Sequence, residues 1–223
     1  VMQFPGTNCE FETLVAVKEV GMEGEIFRWN RPEGELSCFD GFIIPGGFAY
    51  QDRLRAGAIA SKEPVLNTLK EEAASGKPIL GICNGFQILV EAGLLPGLVP
   101  GGEGVEMALA QNVMVSKGQI VRRGYYCDWV YLRHDASSRR CSGSYLIEMG
   151  ALLKIPIAHG EGNLVTASPG LIKKLNDQEQ VVFRYCDRNG RVIDEFPVNV
   201  NGSTESIAAI CNPQGNVLGM MPH

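Results

Sequence analysis

The stretch Gly81-Ile82-Cys83-Asn84-Gly85-Phe86-Gln87 provides a context that can turn a thiol into a reagent. An apolar run, Ile79-Leu80-Gly81-Ile82, leads into it, and a helical pattern over 84–92, stopped by Gly93, leads away. A glycine two positions to each side of Cys83 lets the chain turn sharply from strand to helix. This is the G-x-nucleophile-x-G elbow with sulfur in place of a serine oxygen. Such a turn lifts the side chain above a sheet and sets the sulfur at a helix N-terminus, whose partial positive charge is expected to lower the thiol pKa. Free cysteines are commonly core residues. The flanking glycines favour a nucleophile at position 83, and the other six cysteines, which lack them, read as structural.

A thiolate attacking an acyl group needs donors for the developing oxyanion and a base. Pro45-Gly46-Gly47 follows a predicted strand over 39–44, where glycyl N–H groups approach a substrate unhindered by a Cβ. Three histidines compete for the base. His134 lies in the polar Arg-His-Asp-Ala-Ser-Ser segment and reads as a solvated loop residue. His159, in Ala158-His159-Gly160-Glu161-Gly162, and His223, after Val217-Leu218-Gly219-Met220-Met221-Pro222, both follow apolar runs, and spacing does not choose between them. His159-Gly160-Glu161 matches half of a zinc-deaminase signature, but no Pro-Cys-x-x-Cys follows, so no metal site is read.

The elements that must position these groups alternate in the first half. Helices are predicted over 11–20, with an apolar stripe of Phe11, Leu14, Val15 and Val17, over 61–75 and over 84–92; strands are predicted over 25–29, 39–44 and 79–82. Strand–helix alternation implies an α/β fold: an open, mostly parallel twisted sheet with helices on both faces and ligands at the strands' carboxyl ends. The second half reads as strands over 111–115, 119–123, 181–185 and 206–211, with hairpin turns at Asn189-Gly190, Asn201-Gly202 and Gln214-Gly215, and one helix over 168–176. Ser137-Ser138-Arg139-Arg140 reads as an exposed loop tip.

With 223 residues, 45% apolar and 20% charged, the chain suits one domain spanning 1–223 rather than a disordered segment. A net charge of −5 without basic clusters argues against nucleic acid. No apolar run reaches the ~18–20 residues that span a bilayer, so no membrane partner is expected. Seven scattered cysteines without a C-x-x-C pair suit a reducing cytoplasm. The opening Val1-Met2-Gln3-Phe4, like the end of a strand and without an initiator Met, and the close at His223 lead us to expect further residues at both ends. No phosphate-binding G-x-x-x-x-G-K-[ST] loop and no G-x-G-x-x-G is present, so ATP is expected elsewhere.

Together, Pro-Gly-Gly after a strand, Gly-Ile-Cys-Asn-Gly-Phe-Gln at the elbow and Gly-Met-Met-Pro-His at the far end resemble the class I (triad) glutamine amidotransferases, on a flavodoxin-like sheet. Phe4-Pro5-Gly6-Thr7-Asn8-Cys9, Pro45-Gly46-Gly47-Phe48 with Leu54-Arg55-Ala56-Gly57, and Ala158-His159-Gly160-Glu161-Gly162 are similar to the glutaminase subunits of phosphoribosylformylglycinamidine synthase, across essentially the whole chain. The resemblance implies a Cys83 nucleophile, a His223 base and a triad Glu two residues beyond His223. It further implies an oxyanion hole from the Gly47 and Cys83 N–H groups, and substrate contacts from Gly46, Gln87, Gly160 and Glu161. The implied reaction is hydrolysis of L-glutamine through a γ-glutamyl thioester. The ammonia would pass to a large synthase subunit, sometimes with a small accessory subunit, for ATP- and Mg-dependent amidation of formylglycinamide ribonucleotide in purine biosynthesis. Service to another synthetase, or an inactive scaffold, are the alternative readings. Where these relatives carry Phe-Ser-Tyr-Gly-Asp, this sequence has Phe48-Ala49-Tyr50-Gln51-Asp52, a departure at the glycine.

Overall fold

A computed structural model describes residues 1–99, 105–137 and 139–223. In chain order the strands are β1 (Met2–Gln3), β2 (Phe27–Arg28), β3 (Phe42–Ile44), β4 (Ile79–Ile82), β5 (Ala108–Ala110), β6 (Val113–Ser116), β7 (Gln119–Arg123), β8 (Tyr126–His134), β9 (Leu152–His159), β10 (Asn163–Val165), β11 (Val181–Cys186), β12 (Ile207–Cys211) and β13 (Val217–Met220). The helices are α1 (Glu10–Glu19), α2 (Val65–Ala74), α3 (Asn84–Glu91) and α4 (Pro169–Asp177).

Seven strands form the main sheet, ordered β3-β4-β13-β12-β11-β8-β9. The α/β architecture is as expected, but the sheet is not mostly parallel: its parallel part is confined to β3, β4 and β13, and every pairing from β13 to β9 is antiparallel. Those three parallel strands run in step. Gly81 lies opposite both Ile44 and Gly219, and Ile82 lies opposite Met220. The chain therefore leaves all three at one edge of the sheet, and Gly46, Cys83 and His223 emerge there as neighbours. The far strand also returns to this edge, because the His223 N–H donates to the Pro156 carbonyl of β9 at 3.1 Å.

The elbow helix is sunk into the fold. All eight residues of α3 are buried, with Phe86, Ile88, Leu89 and Val90 in a core shared with Ile44, Leu66, Leu69 and Ile79. A second core gathers Val130, Leu132 and Ile157 with Val182, Tyr185 and Leu218. The two elbow glycines are dictated by contact. A Cβ on Gly85 would lie 1.8 Å from the Ile44 carbonyl oxygen, and one on Gly81 would lie 2.4 Å from Leu89 Cδ1 and 2.7 Å from the Gly85 oxygen. Only hydrogen at these two positions lets α3 press on β3 and β4 (the role glycine plays at close backbone approach).

Several sequence expectations are corrected. Helix α1 exists, but its apolar stripe is not a core face: Phe11 is 62% and Val15 54% exposed, and the buried residue is Glu10. His134 is no loop residue. It ends β8, buried, with Nε2 3.0 Å from Ser144 Oγ. The long pair β8 and β9 has no counterpart among the expected strands. Of the three anticipated hairpin turns, Gln214-Gly215 joins paired strands, β12 to β13, while the other two close loops. Of the predicted loop tip, Ser138 lies outside the described residues.

The packing at residue 85 makes a direct prediction. Gly85→Ala destabilises the protein by more than about 3 kcal/mol in chemical denaturation, because a backbone carbonyl cannot yield as a side chain does. Gly170→Ala, where nothing lies within 4 Å of an added Cβ, leaves stability unchanged or raises it by roughly 0.4–1 kcal/mol.

Candidate active site

Cys83 sits at the turn between β4 and α3 with φ 51° and ψ −106°, a conformation that non-glycine residues rarely hold. The strain is sustained by the buried helix on one side and by the Cys83 N–H on the other, which donates to the Met220 carbonyl at 2.8 Å. That bond corrects the expected oxyanion hole: the Cys83 N–H is already committed to the sheet. The next amide takes its place. The Asn84 N–H reaches the Cys83 sulfur, and at an elbow the amide after the nucleophile is the one placed to hold the substrate oxyanion. Gly47, with φ 145°, offers a second N–H that no acceptor claims among the described residues. Its backbone is clamped by Phe48 N–H to Gly6 O at 2.9 Å and Asn8 N–H to Gly46 O at 3.3 Å.

The expected fall in the thiol pKa is also overturned. Cys83 is only 8% exposed, and burial pushes its thiol up to about 12. The Asn84 N–H opposes this, whereas the nearby Cys9 thiol and Asp52 carboxyl reinforce it. Desolvation of a thiolate outweighs one amide at a short helix's end, so the resting sulfur is protonated.

Of the two histidines that spacing left open, the structure brings His223 to the glycine loop. A Cβ on Gly46 would lie 3.2 Å from both Cε1 and Nε2 of His223 and 3.5 Å from Cys9 Sγ. The imidazole is therefore seated on the bare Cα of Gly46, beside a second thiol. Burial lowers its pKa below the usual histidine value, leaving it neutral and able to take a proton at pH 7. His159 is buried nearby. Burial first, and His223 second, lower its pKa to about 4. Asn112 Nδ2 donates to the His159 carbonyl at 2.8 Å and lies 3.2 Å from Nδ1.

A connected polar floor lies beside the thiol. Asn84, fully buried, accepts the Ala49 N–H at 2.9 Å and donates through Nδ2 to Asp52 Oδ1 at 3.1 Å and Gln87 Oε1 at 2.9 Å. Gln87 Nε2 donates to the Glu161 carbonyl at 2.6 Å, and Glu161 Oε2 accepts the Ala56 N–H at 3.3 Å. Gln87 and Glu161, the two side chains the resemblance gave as substrate contacts, are thus joined through the Glu161 carbonyl. Gly46 serves as the seat of the imidazole, its carbonyl bonded to Asn8 and Cys9. The Gly160 carbonyl accepts the Asn112 N–H at 2.8 Å, which anchors the segment.

The loop over 48–57 closes this floor through a run of left-handed residues, with φ of 55°, 59°, 51° and 72° at Tyr50, Gln51, Asp52 and Leu54. The glycine-to-Gln51 departure falls inside this run, where a side chain costs roughly 1–2 kcal/mol. Other contacts hold the shape. Tyr50 donates to Glu63, and Arg55 makes a two-pronged pair with the buried Glu91 at 2.5 Å for each bond. Gly57 presses on α3 closely enough that a Cβ would lie 2.7 Å from Gln87 C and Ile88 N. Asn84, Asp52 and Cys9 escaped the residue-by-residue reading. The tract Phe4-Pro5-Gly6-Thr7-Asn8-Cys9 signalled the last of them.

A strand-to-helix elbow thiol, free amides on a glycine loop and a neighbouring imidazole define the thiol-dependent glutamine amidotransferase class. The whole of residues 1–223 matches the family model of the CobB/CobQ-like glutamine amidotransferase domain. Curated relatives include phosphoribosylformylglycinamidine synthase subunit PurQ of Methanothrix thermoacetophila, 69% identical over all of this chain and 84% of the relative, and its namesake from Pyrococcus horikoshii, 44% identical over 86% of that protein. Among solved structures, PurLQS from Thermotoga maritima superposes with a TM-score of 0.74 at 34% identity, covering all of this chain and 84% of that one. This chain belongs to the PurQ family of glutamine amidotransferases.

The buried thiol predicts its own pH response. In the ligand-free protein, iodoacetamide modification of Cys83, followed by peptide mass mapping, accelerates about tenfold per pH unit from roughly pH 7 to 10 without levelling, because only the thiolate reacts. A plateau below about pH 9, as for an ordinary or lowered thiol, would contradict the resting state described here.

Proposed function

We propose that this chain is the glutaminase subunit of a phosphoribosylformylglycinamidine synthase. It hydrolyses L-glutamine to glutamate and ammonia for a large synthase subunit, which carries out the ATP- and Mg-dependent conversion of formylglycinamide ribonucleotide to formylglycinamidine ribonucleotide in purine biosynthesis. The observation that carries the chemistry is the Cys83 sulfur on its strained elbow, with the Asn84 N–H on it and the Gly47 N–H unclaimed. The 69% identity to a synthase subunit supports the assignment of the acceptor reaction. Seven unpaired cysteines support a reducing, cytoplasmic setting, and among the described residues no helix is long and apolar enough to cross a membrane.

The mechanism is a double displacement at the substrate's side-chain amide. His223 takes the Cys83 proton as sulfur bonds to the amide carbon, and the carbonyl electron pair moves onto oxygen, held by the Gly47 and Asn84 N–H groups. Collapse breaks the C–N bond while His223 returns the proton to the departing nitrogen, which leaves as ammonia. A water molecule, deprotonated by His223, then adds to the thioester, and the regenerated thiol and glutamate depart. Because the resting thiol is neutral, the proton transfer to His223 belongs to the attack itself. Gln87 and Glu161 line the substrate's path, and the seat on Gly46 holds the imidazole in place.

Reconstitution with the synthase subunit tests this reading. Cys83→Ser lowers glutamine-driven amidation at least about 1,000-fold while leaving amidation driven by added ammonium salts unchanged, because only the nitrogen source passes through this chain. Equal loss of both, or retention of the glutamine-driven rate, would refute it.

A further inference from the structure

The mechanism asks two amides from separate stretches to meet one oxygen, Gly47 on the glycine loop and Asn84 on the elbow. We propose that the Asn84 side chain is a positioning residue for this oxyanion site. It sets the separation of the two N–H groups by holding the loop to the elbow through Ala49. That role deepens the glutaminase reading and rests on it.

Two donors stabilise one oxyanion together only when each lies about 2.7–3.1 Å from it, and a misplacement of about 1 Å costs on the order of 100-fold in rate. Strands β3 and β4 are paired as far as Ile44 and Gly81. From Pro45 and Cys83 onward the two backbones exchange no hydrogen bond among the described residues. The glycine loop is anchored instead to residues 5–7. Phe48 N–H donates to Gly6 O at 2.9 Å, Tyr50 N–H donates to Pro5 O at 2.6 Å, and Gly47 bridges to Thr7. Hydrogen bonding across the gap to the elbow comes from one side chain. Asn84 Oδ1 accepts the Ala49 N–H at 2.9 Å, and Nδ2 donates to Asp52 Oδ1 at 3.1 Å.

The Asn84 amide has one orientation that satisfies every partner. Its oxygen faces an N–H donor, and its nitrogen faces two oxygens, Asp52 Oδ1 and, at 2.9 Å, Gln87 Oε1. Gln87 is fixed in turn, because its Nε2 donates to the Glu161 carbonyl at 2.6 Å. Asn84 is 1% exposed, so a flipped amide would leave buried donors facing donors and acceptors facing acceptors. The side chain is therefore locked as firmly as the elbow that carries it.

One residue thus carries the first oxyanion donor on its backbone and grips the loop of the second with its side chain. Ala49 lies two residues from Gly47, whose own backbone is pressed on residues 7 and 8: a Cβ there would lie 2.5 Å from Asn8 N and 2.9 Å from Thr7 Cα. The loop is held between that segment and Asn84, and loss of the Asn84 bond frees it on the elbow side. The consequence is specific to the chemical steps. Formation and hydrolysis of the thioester both pass through an oxyanion, whereas binding of the intact amide and alkylation of the thiol do not.

Asn84→Leu, similar in shape but without polar atoms, tests this in full-length protein reconstituted with its synthase subunit. The expected result is a kcat for L-glutamine lower by about 100-fold, with KM within about threefold of wild type. Inhibition by glutamate γ-semialdehyde weakens in step with kcat. There the Cys83 sulfur bonds the aldehyde carbon, the carbonyl electron pair moves to oxygen in the oxyanion site, and the thiol proton passes to that oxygen through His223. Iodoacetamide alkylation of Cys83, which displaces iodide and forms no oxyanion, keeps its wild-type rate, and amidation driven by ammonium salts is unchanged. Lactic acid in place of Ala49 exchanges that N–H for an ester oxygen and leaves Asn84 whole. It gives the same pattern at about tenfold and decides the matter if the first variant fails to fold. An unchanged kcat in either variant, a rise in KM alone, or an equal fall in alkylation and kcat would overturn the assignment while leaving the glutaminase reading intact. Failure of the wild-type complex to hydrolyse glutamine at all would remove that reading and this inference with it.

Discussion

The contact between the start of α3 and the end of β3 governs everything at this site. Gly85 lies so near the Ile44 carbonyl that no side chain fits between them, and this approach forces Cys83 into its turn with φ 51° and ψ −106°. It also brings the Asn84 amide within reach of Ala49, joining elbow and glycine loop through one buried side chain. A backbone conformation this costly persists because its surroundings over-determine it. Here the determinants are a fully buried helix, a sheet bond from the Cys83 N–H and the Gly57 backbone pressed against α3.

Two effects compete for the state of the sulfur. The helix N-terminus and the Asn84 amide favour the thiolate; enclosure favours the thiol, and enclosure wins. The site is accordingly a poor general nucleophile in the absence of substrate. A thiol that ionises only during attack is guarded against adventitious alkylation. The neutral His223, seated on the glycine loop, is suited to receive that proton.

Local chemistry was the readable part of the sequence. The glycine spacing around Cys83 announced the elbow because steric demand acts over neighbouring residues, and the helix stop at Gly93, with positive φ, showed for the same reason. What depends on distant packing did not show. Strand β9 was concealed by Pro156, which argues against a central strand; it is tolerated because β9 lies at the sheet's edge. The exposed Phe11 and Val15 mimic a core-facing stripe in α1, since periodicity records which residues share a face but not what covers it. The helix-end argument for Cys83 was sound as far as it went, yet the burial that reverses it is contributed by the whole fold. Asp52 and Glu161 are more than a hundred positions apart, so their meeting through Asn84 and Gln87 could not be read from either segment.

The central claim is that this sulfur forms the covalent intermediate. Rapid acid quenching of the glutamine-hydrolysing complex, followed by proteolysis and mass mapping, tests it most directly. The account predicts a γ-glutamyl adduct, labile to hydroxylamine, on the peptide containing Cys83 and nowhere else. An adduct on Cys9 or another residue, or steady hydrolysis of glutamine with no adduct accumulating even when deacylation is slowed, would contradict it.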